Sequence, residues 1–119
     1  MSNDPFSPRR APVPASEVRI ESVGVNALDP RRVDVAVDLT PCLESLDVEI
    51  VVVGPDDDEL CSTRLVQNRE WMLDRILHLR RDAEAGDHVL HVGVFREKVL
   101  LTRAMKTFLF PSSEQERTQ

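Results

Sequence analysis

Three histidines are the side chains in this sequence best suited to bind a metal. His88 and His91 are three residues apart, and residues at that spacing in a β-strand point to opposite faces of the sheet. They therefore cannot ligate one ion together. His78 falls in a different predicted strand, and zinc needs three or four converging ligands. We expect no metal site and no cofactor, with His88 turned inward and His91 pointing outward.

The acidic run Asp56–Glu59, "DDDE", is a second candidate for metal binding, in this case of calcium. An EF-hand loop places oxygen ligands at alternating positions around a central glycine, and this run has neither feature. Aspartate beside Gly54 and Pro55 is typical of a solvated turn. The run is therefore predicted to connect two strands.

Two cysteines could act as nucleophiles: Cys42, and Cys61 in the sequence "CST". A nucleophile needs a base within hydrogen-bond reach, and no histidine is close to either cysteine in the sequence. The four glycines are scattered, so no phosphate-binding loop is present. We expect a non-enzymatic protein with two free thiols.

The ends of the chain and its net charge indicate the cellular compartment and the classes of partner to expect. Residues 1–16 are rich in proline and contain no apolar segment typical of a signal peptide, and no run reaches a membrane span, so we expect a cytoplasmic protein. The net charge of −6 argues against binding nucleic acid or an acidic membrane. Residues 17–59 contain 12 acidic and 3 basic residues, whereas residues 60–110 contain 6 acidic and 9 basic residues.

Period-two alternation dominates the sequence between the ends. "RVDVAVDLT" places Val33, Val35, Val37 and Leu39 on one face, as in a half-buried strand. The alternation changes phase near Ser22, which predicts a β-bulge or a kink, and again after Leu101, which predicts a second β-bulge. The sequence "REK" at residues 96–98 is predicted to close a hairpin between the last two strands. "REWMLDRILHLRR" fits a helix or a strand, and the strand is favoured because every neighbouring segment is a strand.

Seven strands at regular spacing predict an all-β fold, a seven-stranded antiparallel immunoglobulin-like sandwich. We place this domain at residues 17–110. The proline-rich residues 1–16 and the polar residues 111–119 are predicted to be disordered tails.

A resemblance to a known family supports this fold. "LHLRRDAEAGDHVLHVGVF" resembles the E–F corner of immunoglobulin-like and fibronectin type III-like domains, with His88 in the place of the usual tyrosine. "VDVAVDLTP" and "LDVEIVVVGPDDDEL" resemble their B and C strands. The resemblance implies that the His88 imidazole bonds to the backbone upstream, as the tyrosine hydroxyl does. The chain also resembles small stand-alone bacterial sandwich proteins of unknown function.

Two features depart from antibody domains. The sixth strand has no cysteine, so the usual inter-sheet disulfide is absent, and Trp71 does not fall on the third strand. The resemblance therefore implies a fold and not a biochemical role.

The third predicted strand, in "EIVVVG", is apolar on both faces. If Val48, Ile50 and Val52 point inward, then Val51 and Val53 point outward. The third, sixth and seventh strands are neighbours in immunoglobulin-like sheets, so outward apolar residues of all three would form one patch. The predicted interface residues are Val51, Val53, Val89, His91, Phe95 and Leu100.

An outward apolar patch typically marks a contact surface. The sequence therefore favours a non-enzymatic interaction module that binds a protein partner or a second copy of itself. The alternatives are that loops or the N-terminal tail cover the patch, or that the chain is a small-ligand or carbohydrate-binding module. A sugar site would be a concave pocket lined by Trp71, yet aromatic residues make up only 4% of the chain.

Overall fold

The computed structural model of this protein describes residues 11–111. It contains a short 3₁₀ turn at Ala15–Glu17 and seven β-strands. The strands are β1 (Ile20–Asp29), β2 (Arg32–Leu39), β3 (Leu46–Val53), β4 (Glu59–Asn68), β5 (Met72–His78), β6 (Gly86–Arg96) and β7 (Val99–Phe110). The predicted all-β, seven-stranded antiparallel sandwich is confirmed.

The strands form two sheets. One has three strands in the order β1-β2-β5, and the other has four in the order β4-β3-β6-β7. All neighbouring strands run antiparallel. Because β3 and β6 are bonded along both of their edges, their outward residues lie in the middle of the larger sheet.

The core lies between the sheets and consists of alternate aliphatic residues. Every second residue is buried along β2 and β3, and also along most of β6. The buried set on these strands is Val33, Val35, Val37, Leu39, Leu46, Val48, Ile50, Val52, Leu90, Val92 and Val94. Burial of apolar area stabilises a fold by about 25 cal/mol per Å². A one-residue slip would expose all of these side chains, so burial fixes the register.

The ambiguous segment after residue 68 is a strand, as predicted. Leu73 and Leu77 of β5 are buried against the core, and Leu79 follows them. Arg75 lies between them in the alternation, opposite Val35. It is half-buried, and its guanidinium pairs with the Glu70 carboxylate at 3.5 Å. An inward-directed charge on an edge strand is a common protection against strand addition.

Both predicted bulges are present. The β1–β2 register shifts between Ile20 and Ser22. In the β6–β7 pair, Val94 lies opposite Thr102 and Phe95 lies opposite Leu100, so Leu101 is the extra residue. This bulge places Leu101 against the core and leaves Leu100 exposed.

The predicted hairpin between β6 and β7 is closed by Glu97 and Lys98. Both residues adopt positive φ, at 50° and 69°. Positive φ at both central residues is the geometry of a type I′ turn, whose twist matches that of the flanking strands.

The described chain makes contacts before the predicted domain start at residue 17. The Val13 amide donates to the Pro41 carbonyl, and the Val13 carbonyl accepts from the Leu43 amide, each at 2.9 Å. Val13 and Ala15 also pack against the core. The domain boundaries therefore stay predictions. Most of the two predicted tails lies outside the described residues, namely residues 1–10 and 112–119.

His88 occupies the corner that opens β6. It is fully buried, and its Nδ1 lies 3.0 Å from the Gly86 carbonyl oxygen, which can only accept a hydrogen bond. The Nδ1–H therefore donates, and this is the upstream backbone bond that the family resemblance implies. The imidazole packs against Phe108 and Phe110, with ring centroids 5.7 and 4.6 Å away. His88 is therefore part of the core.

Two carboxyl groups meet on the outer face of the three-stranded sheet. Asp34 lies opposite Ile76, and Asp74 lies opposite Ala36, so the two aspartates are diagonal neighbours on β2 and β5. The protonated Asp34 carboxyl donates a hydrogen bond to the Asp74 carboxylate, and this bond, together with desolvation and charge repulsion, raises the pKa of Asp34 above its usual 3.8. Asp34 in the folded protein therefore keeps its proton at pH values at which the unfolded chain would release it.

This pair makes stability depend on pH in a defined direction. A carboxyl whose pKa is raised by folding stabilises the fold below its unfolded pKa, and that contribution is lost as pH rises through the folded pKa. We expect Asp74→Asn to raise the melting temperature at neutral pH because it removes the repulsion. The gain should shrink as pH falls below about 4. Thermal melts across pH test this, with Asp87→Asn, an exposed carboxylate on β6, as the control. An equal gain at all pH values would contradict it.

Candidate interaction surface

The six predicted interface residues all lie on the outer face of the four-stranded sheet. Val53 pairs with Val89 and Val51 pairs with His91 across β3 and β6. Phe95 pairs with Leu100 across β6 and β7. Leu100 is 45% exposed and the other five are half-buried. We call this surface, defined by these six residues, the β3–β6–β7 face. Its role as an interface stays a prediction.

The sequence analysis missed two apolar residues of the same face. Met105 lies opposite His91 and Leu109 lies opposite Asp87, and they are 66% and 61% exposed. The bulge at Leu101 shifts the inward–outward alternation of β7 by one residue, so counting forward from Val99 assigns Met105 and Leu109 to the wrong face. Counting backwards in steps of two from the outward Leu109 would have identified Met105.

A shallow depression lies on the β3–β6–β7 face over Gly93. It has a volume of about 170 Å³, and its walls include Glu49, Val51, His91, Phe95, Leu100 and Arg103. A Cβ atom at Gly93 would lie 3.0 Å from the Phe95 ring and 3.5 Å from Leu100 Cδ1. The absence of a side chain at Gly93 therefore allows the Phe95 ring to lie close to the strand, and the depression lies beside this ring and Leu100. We call it the Gly93 depression.

Arg64 holds one side of the Gly93 depression in place. Its guanidinium carbon lies 5.0 Å from the centre of the Phe95 ring, within the range of a cation–π contact. The same guanidinium lies 3.3 Å from the Asp47 carboxylate and 3.8 Å from the Glu49 carboxylate. The charge of Arg64 is therefore largely satisfied within the protein.

Asp47 is fixed as an anion at this position. The Gln67 backbone amide donates to it at 3.0 Å, and this bond, with a smaller contribution from Arg64, lowers the pKa of Asp47. An ionised Asp47 keeps the Arg64 guanidinium beside the Phe95 ring. Sequence reasoning did not find this group, because its members come from β3, β4 and β6.

Arg103 borders the other side of the Gly93 depression and differs from Arg64. It lies opposite Gly93 on β7, and it makes no ion pair with any of residues 11–111. Strand β7 contains two basic residues, Arg103 and Lys106, and no acidic ones. The Lys106 ammonium is engaged, since it donates to the Val23 carbonyl at 3.0 Å. Arg103 is thus an exposed cation without an internal counter-ion in the described chain.

The other candidate chemical groups lie apart. His88 is in the core, His91 is on the β3–β6–β7 face, and His78 is on β5 of the other sheet. Within residues 11–111, no group of three or more His, Cys, Asp or Glu side chains could hold a metal ion. The acidic run forms the β3–β4 turn, in which the Gly54 amide donates to the Asp58 carbonyl at 2.9 Å. Asp58 pairs with Arg81.

The two cysteines are also separate. Cys61 is buried on β4, whereas Cys42 lies half-buried in the loop before β3, and both are free thiols. Burial raises the pKa of the Cys61 thiol, with a smaller contribution from Glu59 that Arg80 opposes. A higher pKa reduces the fraction of thiolate, which is the nucleophilic form.

Trp71 is half-buried and packs against the core. The cleft that it lines, together with Cys42 and Asn68, has a volume of about 10 Å³. That is room for about one water molecule and not for a sugar ring. The Trp71 pocket expected for a carbohydrate-binding module is therefore too small in this structure.

Comparison with known proteins identifies the fold. No protein-family model and no curated sequence matches this chain. A β-glucuronidase from Parabacteroides merdae is similar in structure, with a TM-score of 0.64 and 14% identity over 79% of this chain and 14% of that one. A glycosyl hydrolase family 2 member from Bacteroides cellulosilyticus has a TM-score of 0.62 and 8% identity, over 77% of this chain and 15% of that one. A β-glucuronidase from Ruminococcus gnavus has a TM-score of 0.56 at 10% identity, over 79% and 16%.

This chain thus spans about one seventh of the length of the enzymes that it matches. At such low identity the likeness shows a shared β-sandwich fold and does not carry over their activity. Within residues 11–111, no helix has the length and apolar character needed to cross a bilayer.

The burial of Cys61 gives a labelling prediction. In a Cys42→Ser variant, we expect Cys61 to react with a thiol reagent at least about tenfold more slowly in the folded protein than in urea, because burial disfavours the thiolate. A colorimetric thiol assay at mildly alkaline pH measures this. The Cys61→Ser variant is the matched control, in which the half-buried Cys42 should label faster in the folded state. Rapid labelling of folded Cys42→Ser would contradict the buried position of Cys61.

Proposed function

We propose that this chain is a non-enzymatic protein-interaction module that uses the β3–β6–β7 face. The supporting observation is the outward placement of apolar residues on three adjacent strands, in a sheet whose other face already supplies the core. Val51, Phe95 and Leu100 are held on rigid strands, so their positions are set before any partner arrives. Rigid presentation lowers the entropic cost of binding.

The chemistry around the face resembles that of protein interfaces. Such interfaces have an apolar centre and a polar rim, and a few aromatic or arginine residues contribute most of the binding energy. Here Phe95 lies on β6 near its hairpin end, with Arg64 on the β4 side and Arg103 on the β7 side. Burial of these side chains by a partner would remove apolar area from water at about 25 cal/mol per Å².

The absence of enzymatic activity belongs to this proposal. It is supported by the burial of Cys61 and by the separation of the three histidines between the core and two different outer faces. A catalytic site needs a nucleophile or base oriented by a neighbour within hydrogen-bond reach. We also propose a cytoplasmic protein of the small stand-alone sandwich type that the sequence resembles.

The second candidate function is binding of a small ligand or carbohydrate. It is favoured by the Gly93 depression, where the Phe95 ring and Arg103 could contact a sugar, and by the fold shared with domains of glycosyl hydrolase family 2 members. A thermal-shift screen of sugars at millimolar concentration tests it. No stabilisation by any sugar would exclude this function for the sugars tested.

The main proposal predicts which substitutions abolish association. Light scattering after size exclusion, across a concentration series, gives the mass of the wild-type protein. If it is a dimer, we expect Val51→Asp and Phe95→Asp each to weaken association at least about tenfold, because a charge in an apolar interface is left desolvated and unpaired. Thermal melts confirm that the variants are folded.

Met72→Asp is the matched control, since Met72 is 61% exposed on the other sheet. It should leave association unchanged. If the wild-type protein is a monomer, the same variants are compared in a pull-down from cell extract. Proteins retained by wild type and Met72→Asp, but lost from both face variants, would support the proposal. Identical results for all four proteins would overturn it.

A further inference from the structure

The Gly93 depression combines an apolar wall with a free cation. Phe95 and Leu100 border it on one side, and Arg103 lies on the other. An apolar patch alone would accept many surfaces. The nearby guanidinium makes this part of the face selective, because a partner that covers Arg103 without supplying a counter-ion must desolvate a charge.

The size of the depression suits one side chain. Its volume of about 170 Å³ is close to the ~150 Å³ cavity that admits a benzene molecule. A phenyl ring or a branched aliphatic group would therefore fill it, and Gly93 allows that group to approach the strand backbone. The Phe95 ring is already fixed by Arg64, so it can form one wall without further ordering.

The depression has one charged residue on each side, Glu49 on β3 and Arg103 on β7, and its β7 side favours an anion. Arg64 is matched by Asp47 and Glu49, whereas Arg103 has no ion pair within the described chain. A carboxylate is the protein group that pairs best with a guanidinium, because it accepts two parallel hydrogen bonds. The chain as a whole is acidic, so this attraction is a local property of the β7 side of the face.

We propose that the Gly93 depression is an anchor site for an acidic segment of a protein partner. That segment would place an aromatic or branched apolar side chain over Gly93 and an adjacent carboxylate on Arg103. This inference rests on the proposed interaction function and specifies the chemistry of the partner.

The test uses two small probes that differ in one group. Acetyl-Phe-Asp-amide has the ring and the carboxylate, and acetyl-Phe-Asn-amide has the same shape without the charge. Each peptide is titrated into the isotope-labelled full chain, and the backbone amide chemical shifts are followed by NMR. We expect the Asp peptide to change the amide shifts of the residues at the depression, which are Gly93, Phe95, Leu100 and Arg103. We expect the Asn peptide to bind about tenfold more weakly, as for the loss of one charge-assisted hydrogen bond.

Arg103→Gln should reduce the affinity for the Asp peptide to that for the Asn peptide. Lys106→Gln is the matched control, because it removes the same charge from the same strand at a side chain that is bonded to Val23 on the other sheet. It should leave the affinity unchanged. Gly93→Ala should weaken the binding of both peptides, since its methyl group would lie 3.0 Å from the Phe95 ring and displace one wall of the depression. Arg103→Gln alone decides the proposal if Gly93→Ala does not fold.

The outcomes separate this inference from the proposed function. Equal binding of the two peptides, shifts at another site, or no shifts up to the solubility limit would overturn the acidic anchor. Binding of D-glucuronate at these residues, with neither peptide binding, would overturn it in favour of a sugar acid. If Val51→Asp and Phe95→Asp abolish partner association while Arg103→Gln does not, the face is correct and the acidic anchor is wrong.

Discussion

The burial of alternate residues along β3 is the constraint on which the rest of the structure depends. This strand is bonded to β4 on one edge and to β6 on the other, and Val48, Ile50 and Val52 face the core. Because side chains alternate strictly along a strand, this burial also decides what faces outward. The outward Val51 and Val53 are thus a consequence of the same register that stabilises the sandwich, and β6 repeats the pattern beside them.

The two outer faces of the sandwich differ in chemical character. On the three-stranded sheet, Asp34 and Asp74 are diagonal neighbours that make no ion pair with any of residues 11–111, which disfavours close approach by an acidic surface. The four-stranded sheet presents aliphatic and aromatic groups between two arginines. The three-stranded sheet also exposes Met72 and Ile76, so the two outer faces differ in the charges that lie beside their apolar groups.

The features that the sequence predicted are those set by local alternation and turn chemistry. The strands, both bulges, the hairpin at Glu97 and Lys98, and the inward His88 all follow from neighbouring residues. The features that it missed depend on pairings between distant segments. Arg64 on β4 reaches Phe95 on β6 across the intervening strand β3, and no pattern within β4 or β6 indicates that contact. Met105 was not identified because the extra residue Leu101 in β7 reverses the inward–outward alternation of the side chains that follow it.

The edges of the two sheets restrict how copies of this protein can assemble. Arg75 points inward from the edge strand β5, and Lys106 ties β7 to the carbonyl of Val23 on β1. A foreign strand that paired with either edge would have to displace a charged side chain from its partner. Strand addition at the β5 and β7 edges is thereby disfavoured. Two copies that met through the same sheet face would each cover the surface used for contact, so such an assembly would end as a closed pair.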